Sequence, residues 1–99
     1  MGLRIKVITV PMPSANTEYS WHLPIGLKFF TIRARGEVGI RVSTERDRVA
    51  TSNDPYFTID AGAAWDEDDL NIQNDDLFFY FACSSGGNLV EIIAGIGGS

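Results

Sequence analysis

The sequence predicts an all-β chain, a single-domain antiparallel β-sandwich of jelly-roll or Greek-key type with seven to eight strands. Three observations predict it. Runs rich in β-branched and aromatic residues are separated by Gly, Pro, Asn and Asp at short intervals. Within many runs apolar and polar side chains alternate at the period of two that a half-buried strand shows. No stretch of ten or more residues carries the apolar spacing of an amphipathic helix. A small barrel fits the same pattern.

Each element has its own local signal. Leu3, Ile5 and Val7 alternate with Arg4 and Lys6 in a first strand that Pro11 and Pro13 end. In EYSWHL, Tyr19, Trp21 and Leu23 share one face, and Pro24 and Gly26 close the run. LKFFTIRARGEVGIRV reads as a hairpin, with Gly36-Glu37 between its arms; a Gly in the first central position is what a type II′ turn requires. STERDRVATSNDP reads as a polar loop with a short strand about Val49. PYFTID begins a strand with proline, which is tolerated at a first position. AGAAWDEDD reads as a turn or bulged connection carrying Trp65, and LNIQ as a short strand. LFFYFACS is apolar on both faces, as a strand in the middle of a packed sheet would be. Ser85-Gly86-Gly87-Asn88 turns the chain into LVEIIAGI, the last strand.

Ninety-nine residues, 44% hydrophobic, fit one domain over residues 1–99 with a core large enough to fold alone. Residues 1–16 either pair within that sandwich or form an arm that adds a strand to a neighbour. No apolar run approaches the roughly eighteen residues a bilayer span needs. MGLRIKVITV interleaves charge with apolar residues, unlike the apolar region of a signal peptide. The single cysteine, Cys83, excludes an internal disulfide framework and reads as a small core hydrophobe.

The net charge of −5 argues against nucleic-acid binding, which wants a basic surface. The signs are segregated along the chain. All eight basic residues lie at or before Arg48, with four acids, giving +4 (eight less four); the other nine acids follow it, giving −9. Either basic and acidic strands neighbour and neutralise each other, or opposite faces carry opposite signs. The second arrangement suits head-to-tail contacts in a ring or lattice.

No constellation points to catalysis, so the chain reads as a binding protein without cofactor. His22 is the only histidine and sits on a strand as a surface or sheet-face residue, so a metal centre or a Ser–His or Cys–His pair lacks its parts. Asp66-Glu67-Asp68-Asp69 is the best cation candidate, but it lacks the spacing of an EF-hand loop and reads as a solvated acidic segment. Trp21, Tyr56 and Trp65 are core or protein-interface residues on one reading and a sugar-stacking platform on another. Trp65, between turn residues and acids, is the strongest contact candidate. Together with Leu3, Ile5 and Val7, these three form the predicted interface set.

The order of elements resembles a known group. A Tyr19-Ser20-Trp21-His22-Leu23-Pro24 stretch leads into LKFFTIRARG, then PYFTIDAGAAW, an acidic connection, and the apolar LFFYFACSSGGNLVEIIAG hairpin. From Tyr19 to Gly95 this resembles small β-sandwich virion proteins of tailed phages, above all capsid decoration (cement) proteins. The resemblance implies a jelly-roll protein on the capsid surface that clamps neighbouring major capsid proteins. It also implies self-association, with a trimer favoured, no nucleic-acid or membrane partner, and synthesis in the host cytoplasm. Another virion component of the neck, tail or baseplate is the nearest alternative, and a carbohydrate-binding module the next.

Overall fold

A computed structural model describes residues 3–97, which contain no helix and eight strands. In chain order these are β1 (Leu3–Met12), β2 (Tyr19–His22), β3 (Leu27–Arg35), β4 (Ile40–Ser43), β5 (Phe57–Ile59), β6 (Ala64–Glu67), β7 (Phe78–Ala82) and β8 (Asn88–Gly97). They form two four-stranded sheets, β1-β8-β3-β6 and β2-β7-β4-β5, antiparallel throughout. First pairs with last, second with seventh, third with sixth and fourth with fifth. That nesting is the jelly roll.

The core lies between the sheets. From one side come Met12, Phe30, Ile32, Ala34, Val90, Ile92, Ala94 and Ile96; from the other come Trp21, Ile40, Val42, Ile59, Phe79, Phe81 and Cys83. The period-two alternation of β8, and of β3 from Phe30 on, places their even-numbered residues inward; before it, at the register shift between Leu27 and Phe29, Leu27 is buried and Lys28 exposed. β7 breaks the alternation because both its faces are covered. Phe79 and Phe81 face the other sheet, while Tyr80 and Ala82 pack under Val49 and Tyr56 of the long 44–56 connection. Hydrogen bonds hold that connection down, from Arg41 Nε to the Val49 carbonyl and from Ser43 Oγ to the Pro55 carbonyl at 2.7 Å.

Several local expectations are corrected. The 28–42 hairpin does not form, because β3 is already flanked by β8 and β6; after Gly36 the chain crosses to the other sheet. Ser85-Gly86-Gly87-Asn88 is likewise a crossover between sheets and not a hairpin turn. AGAAWDEDD contains strand β6, recruited by the free edge of β3. LNIQ is irregular: Leu70 and Ile72 pack on the core, and the Ile72 carbonyl accepts from the Gly26 N–H. The region about Val49 is a turn, although Val49 itself is fully buried. The N-terminal segment pairs within its own sandwich, residue for residue against β8 from Leu3↔Gly97 to Met12↔Asn88.

Cys83 is fully buried and its thiol donates to the Ser85 carbonyl at 2.9 Å. A thiol reagent should therefore label it only through opening of the sandwich, so its reaction rate should rise in step with denaturant-induced opening. Fast labelling of the native chain would contradict this packing.

Candidate protein-interaction face

The two outer faces of the sandwich differ. That of the β2-β7-β4-β5 sheet is roofed by the 44–56 connection. No segment of the described chain roofs that of the β1-β8-β3-β6 sheet over its β1 end, where apolar side chains stand in water. Leu3, Ile5 and Val7 are 49%, 62% and 74% exposed, and Ile93 is 43% exposed.

Register explains why they gather. On this face Ile5 lies across from Gly95 and Gly95 from Phe29; Val7 lies across from Ile93 and Ile93 from Thr31. Gly95 has no side chain, so the Phe29 ring lies flat over it; a Cβ at 95 would overlap that ring. Gly97 plays the same part for the aliphatic stem of Lys28. Leu3, Ile5, Val7, Ile93 and Phe29 thus form one low apolar surface. Thr9, Arg33 and the ion pair of Arg35 with Glu91 at 2.7 Å border it. An apolar patch with a polar rim on one face is the usual mark of a protein contact.

The other predicted interface residues lie elsewhere. Trp21 is a correction: it is 7% exposed, a core ring edge-to-face with Phe30 at 6.1 Å. Its position on β2 faces inward, opposite the exposed His22. Trp65 is half-buried in an aromatic cluster with Phe57 at 4.8 Å, Phe30 at 4.9 Å and Phe79 at 5.3 Å. Its indole N–H donates to Glu67 at 2.8 Å. Tyr56 is half-buried on the opposite sheet's outer face, beside Tyr80. The three rings therefore share no surface on which a sugar could stack. The sequence reading missed Phe29 and Ile93. Their signal was the outward alternation Leu89, Glu91, Ile93, Gly95, Gly97, whose glycines make room for a neighbouring ring.

Other candidates resolve simply. His22 stacks on Phe78 at 4.4 Å and its Nε2 lies 2.8 Å from the Asp75 carbonyl oxygen. Cys83 is engaged with Ser85, so no Cys–His pair forms. Asp66 and Glu67 fall on opposite faces of β6 and diverge, and no group of three His, Cys, Asp or Glu among the described residues is placed to hold a metal ion.

Neutralisation of the segregated charges is partial. Among the described residues Arg35 and Arg48 form ion pairs with carboxylates, while Arg4, Lys6, Lys28 and Arg33 have no carboxylate within 4.0 Å. No family model matches the chain, and no curated protein or solved structure matches it either.

Proposed function

We propose that this chain is a non-catalytic structural protein of a tailed-phage virion, a capsid decoration (cement) protein that binds the major capsid protein lattice and stabilises it. The observation that carries the reading is the uncovered apolar face of Leu3, Ile5, Val7, Phe29 and Ile93 on an otherwise well-sealed jelly roll. A chain that roofs one sheet with its own connection and leaves the other bare has surface to give to a partner. The resemblance of its order of elements to that of decoration proteins is the ground for the kind of partner we propose. The burial of Trp21 and the separation of Tyr56 from Trp65 weaken the carbohydrate-binding alternative.

The magnitudes suit a lattice. Burying one large aliphatic side chain contributes about 1.5–3 kcal/mol, while association costs at least ~4 kcal/mol before any net affinity appears. One such patch binds weakly alone, whereas many copies on a repeating surface add their effects, and bound copies stabilise the particle by mass action.

The test uses empty heads of the encoding phage, assembled without this chain. Adding the protein should raise the temperature at which the heads open. Ile5→Asp, at an exposed position that leaves the core intact, should weaken binding by about 2 kcal/mol, near thirtyfold, as loss of an interface hot spot does. Heads equally robust with and without the protein would refute the reading.

A further inference from the structure

We infer that copies of this chain associate head to tail by edge-strand pairing, β1 of one copy docking on β6 of the next, so that the β1-β8-β3-β6 sheet continues across the interface. β1 and β6 are the two edges of that sheet. β1 is ten residues long, and its residues 3–7 are all exposed. An edge of that length and apolar content is a template for another strand.

Strand direction permits a second copy. Every neighbour in the sheet is antiparallel, so β1 and β3 run one way and β8 and β6 the other. Placing an identical sheet alongside in the same orientation sets its β1 antiparallel to β6, and the alternation is unbroken. Side-chain parity permits it as well. Lys6 pairs with Ala94, Ala94 with Phe30, and Phe30 with Glu67, so Lys6 and Glu67 end the same row on the same face at opposite edges. In the continued sheet Lys6 of one copy meets Glu67 of the next.

Charge selects this pairing over the alternatives. The N–H of Leu70 still reaches the Lys28 carbonyl at 3.0 Å, so the acids at 66–69 run beside β3 toward the row that ends in Arg4. One edge therefore carries Arg4 and Lys6, and the other Asp66, Glu67, Asp68 and Asp69. Among the described residues of their own chain, Arg4 and Lys6 have no carboxylate within 4.0 Å. Edge lysines are the usual guard against strand pairing. Here they guard against β1 meeting β1, and the acids against β6 meeting β6, because like charges across a strand pair repel. Among contacts between the two edges of this sheet, only β1 on β6 joins opposite signs. It is heterologous, so it propagates from copy to copy until the rotation closes a ring or continues as a filament.

Sedimentation velocity of the full chain at rising concentration tests this directly. The wild-type chain should associate at low salt and dissociate as salt rises. Lys6→Glu and Glu67→Lys should each move the association to at least about tenfold higher concentration, by putting like charges together. The double variant should restore it, and so should an equimolar mixture of the two single variants, in which contacts joining opposite signs are again available. Cooperative thermal melts would show that each variant folds, with Glu67→Lys melting somewhat lower because the Trp65 indole loses its acceptor. A wild-type chain that stays monomeric at millimolar concentration overturns the inference, as does association that ignores both reversals or is not rescued by combining them. Binding of monomeric Lys6→Glu to phage heads reports on the capsid reading separately, since its patch is intact.

Discussion

Phe81→Ala is expected to lower the melting temperature by about 20 °C. Phe81 is fully buried at the centre of β7, paired to Tyr19 on one side and Val42 on the other. Its ring belongs to the cluster formed with Ile32 and Ile92 from the facing sheet. Truncation removes the transfer free energy of the ring and leaves a cavity that two rigid sheets cannot close, which costs about 3–5 kcal/mol. A domain of this size holds a total of about 5–15 kcal/mol, so one change takes about a fifth of the margin or more. Each kcal/mol moves the midpoint by about 4–8 °C in a domain of up to 100 residues. Calorimetry or circular dichroism melting measures it. A drop under about 5 °C would mean that the sheets are not packed through Phe81. The control is Val7→Ala, on the exposed patch, which should melt within about 4 °C of wild type because surface substitutions usually stay within ~0.5 kcal/mol.

The contrast between those two positions shows what the sequence could and could not reveal. Alternation marks Val7 and Phe30 equally as one apolar side of a strand. Only the partner sheet decides which side is inside. β1 outruns the short strands opposite it, so the even positions Arg4 and Lys6 fall on the inward side where the sandwich has ended, while Leu3, Ile5 and Val7 face out beside Ile93. The class, the number of strands and the central place of β7 were all legible, because period-two patterning and an unbroken apolar run have direct physical causes. The hairpins were not. A Gly between two β runs serves a tight turn and a crossover between sheets alike, and the choice depends on which edges of β3 and β8 other strands have taken. β6 was hidden for a related reason: Asp66 and Glu67 have weak strand preference and are held there by pairing with Thr31 and Phe30. Trp21 shares an apolar face with Tyr19 and Leu23, and that pattern marks the face without telling whether it meets the core or a partner.

Gly36→Ala and Asn88→Ala should each destabilise the fold by about 2 kcal/mol, though neither residue belongs to the hydrophobic core. Asn88 is 6% exposed at the start of β8 and ties together the two crossovers that define the topology. Its Oδ1 accepts from the Glu37 N–H at 3.0 Å, in the β3–β4 crossover; its Nδ2 donates to the Ser85 carbonyl at 2.9 Å, in the β7–β8 crossover. Gly36 makes room for this side chain. It sits at φ +147°, and a Cβ there would overlap Asn88 Oδ1. Alanine at 36 therefore meets both a left-handed backbone and an occupied site, while alanine at 88 leaves the Glu37 N–H without its acceptor and the Ser85 carbonyl with the Cys83 thiol alone. Asn88→Asp separates the two halves of this account. A carboxylate keeps the acceptor for Glu37 but turns a second oxygen toward the Ser85 carbonyl, so at neutral pH it should destabilise at least as much as alanine. Protonating that carboxylate in acid restores a donor, so the Asn88→Asp variant should lose less stability relative to wild type as pH falls through the pKa of the introduced carboxyl. The folded state holds that charge poorly, so the pKa lies above the unfolded value and the penalty is full above it. Chemical denaturation at several pH values measures the difference. If Asn88→Ala and Gly36→Ala fall near zero separately, or the double variant costs their full sum, the two crossovers are not coupled through this amide, since residues that share one contact are not additive.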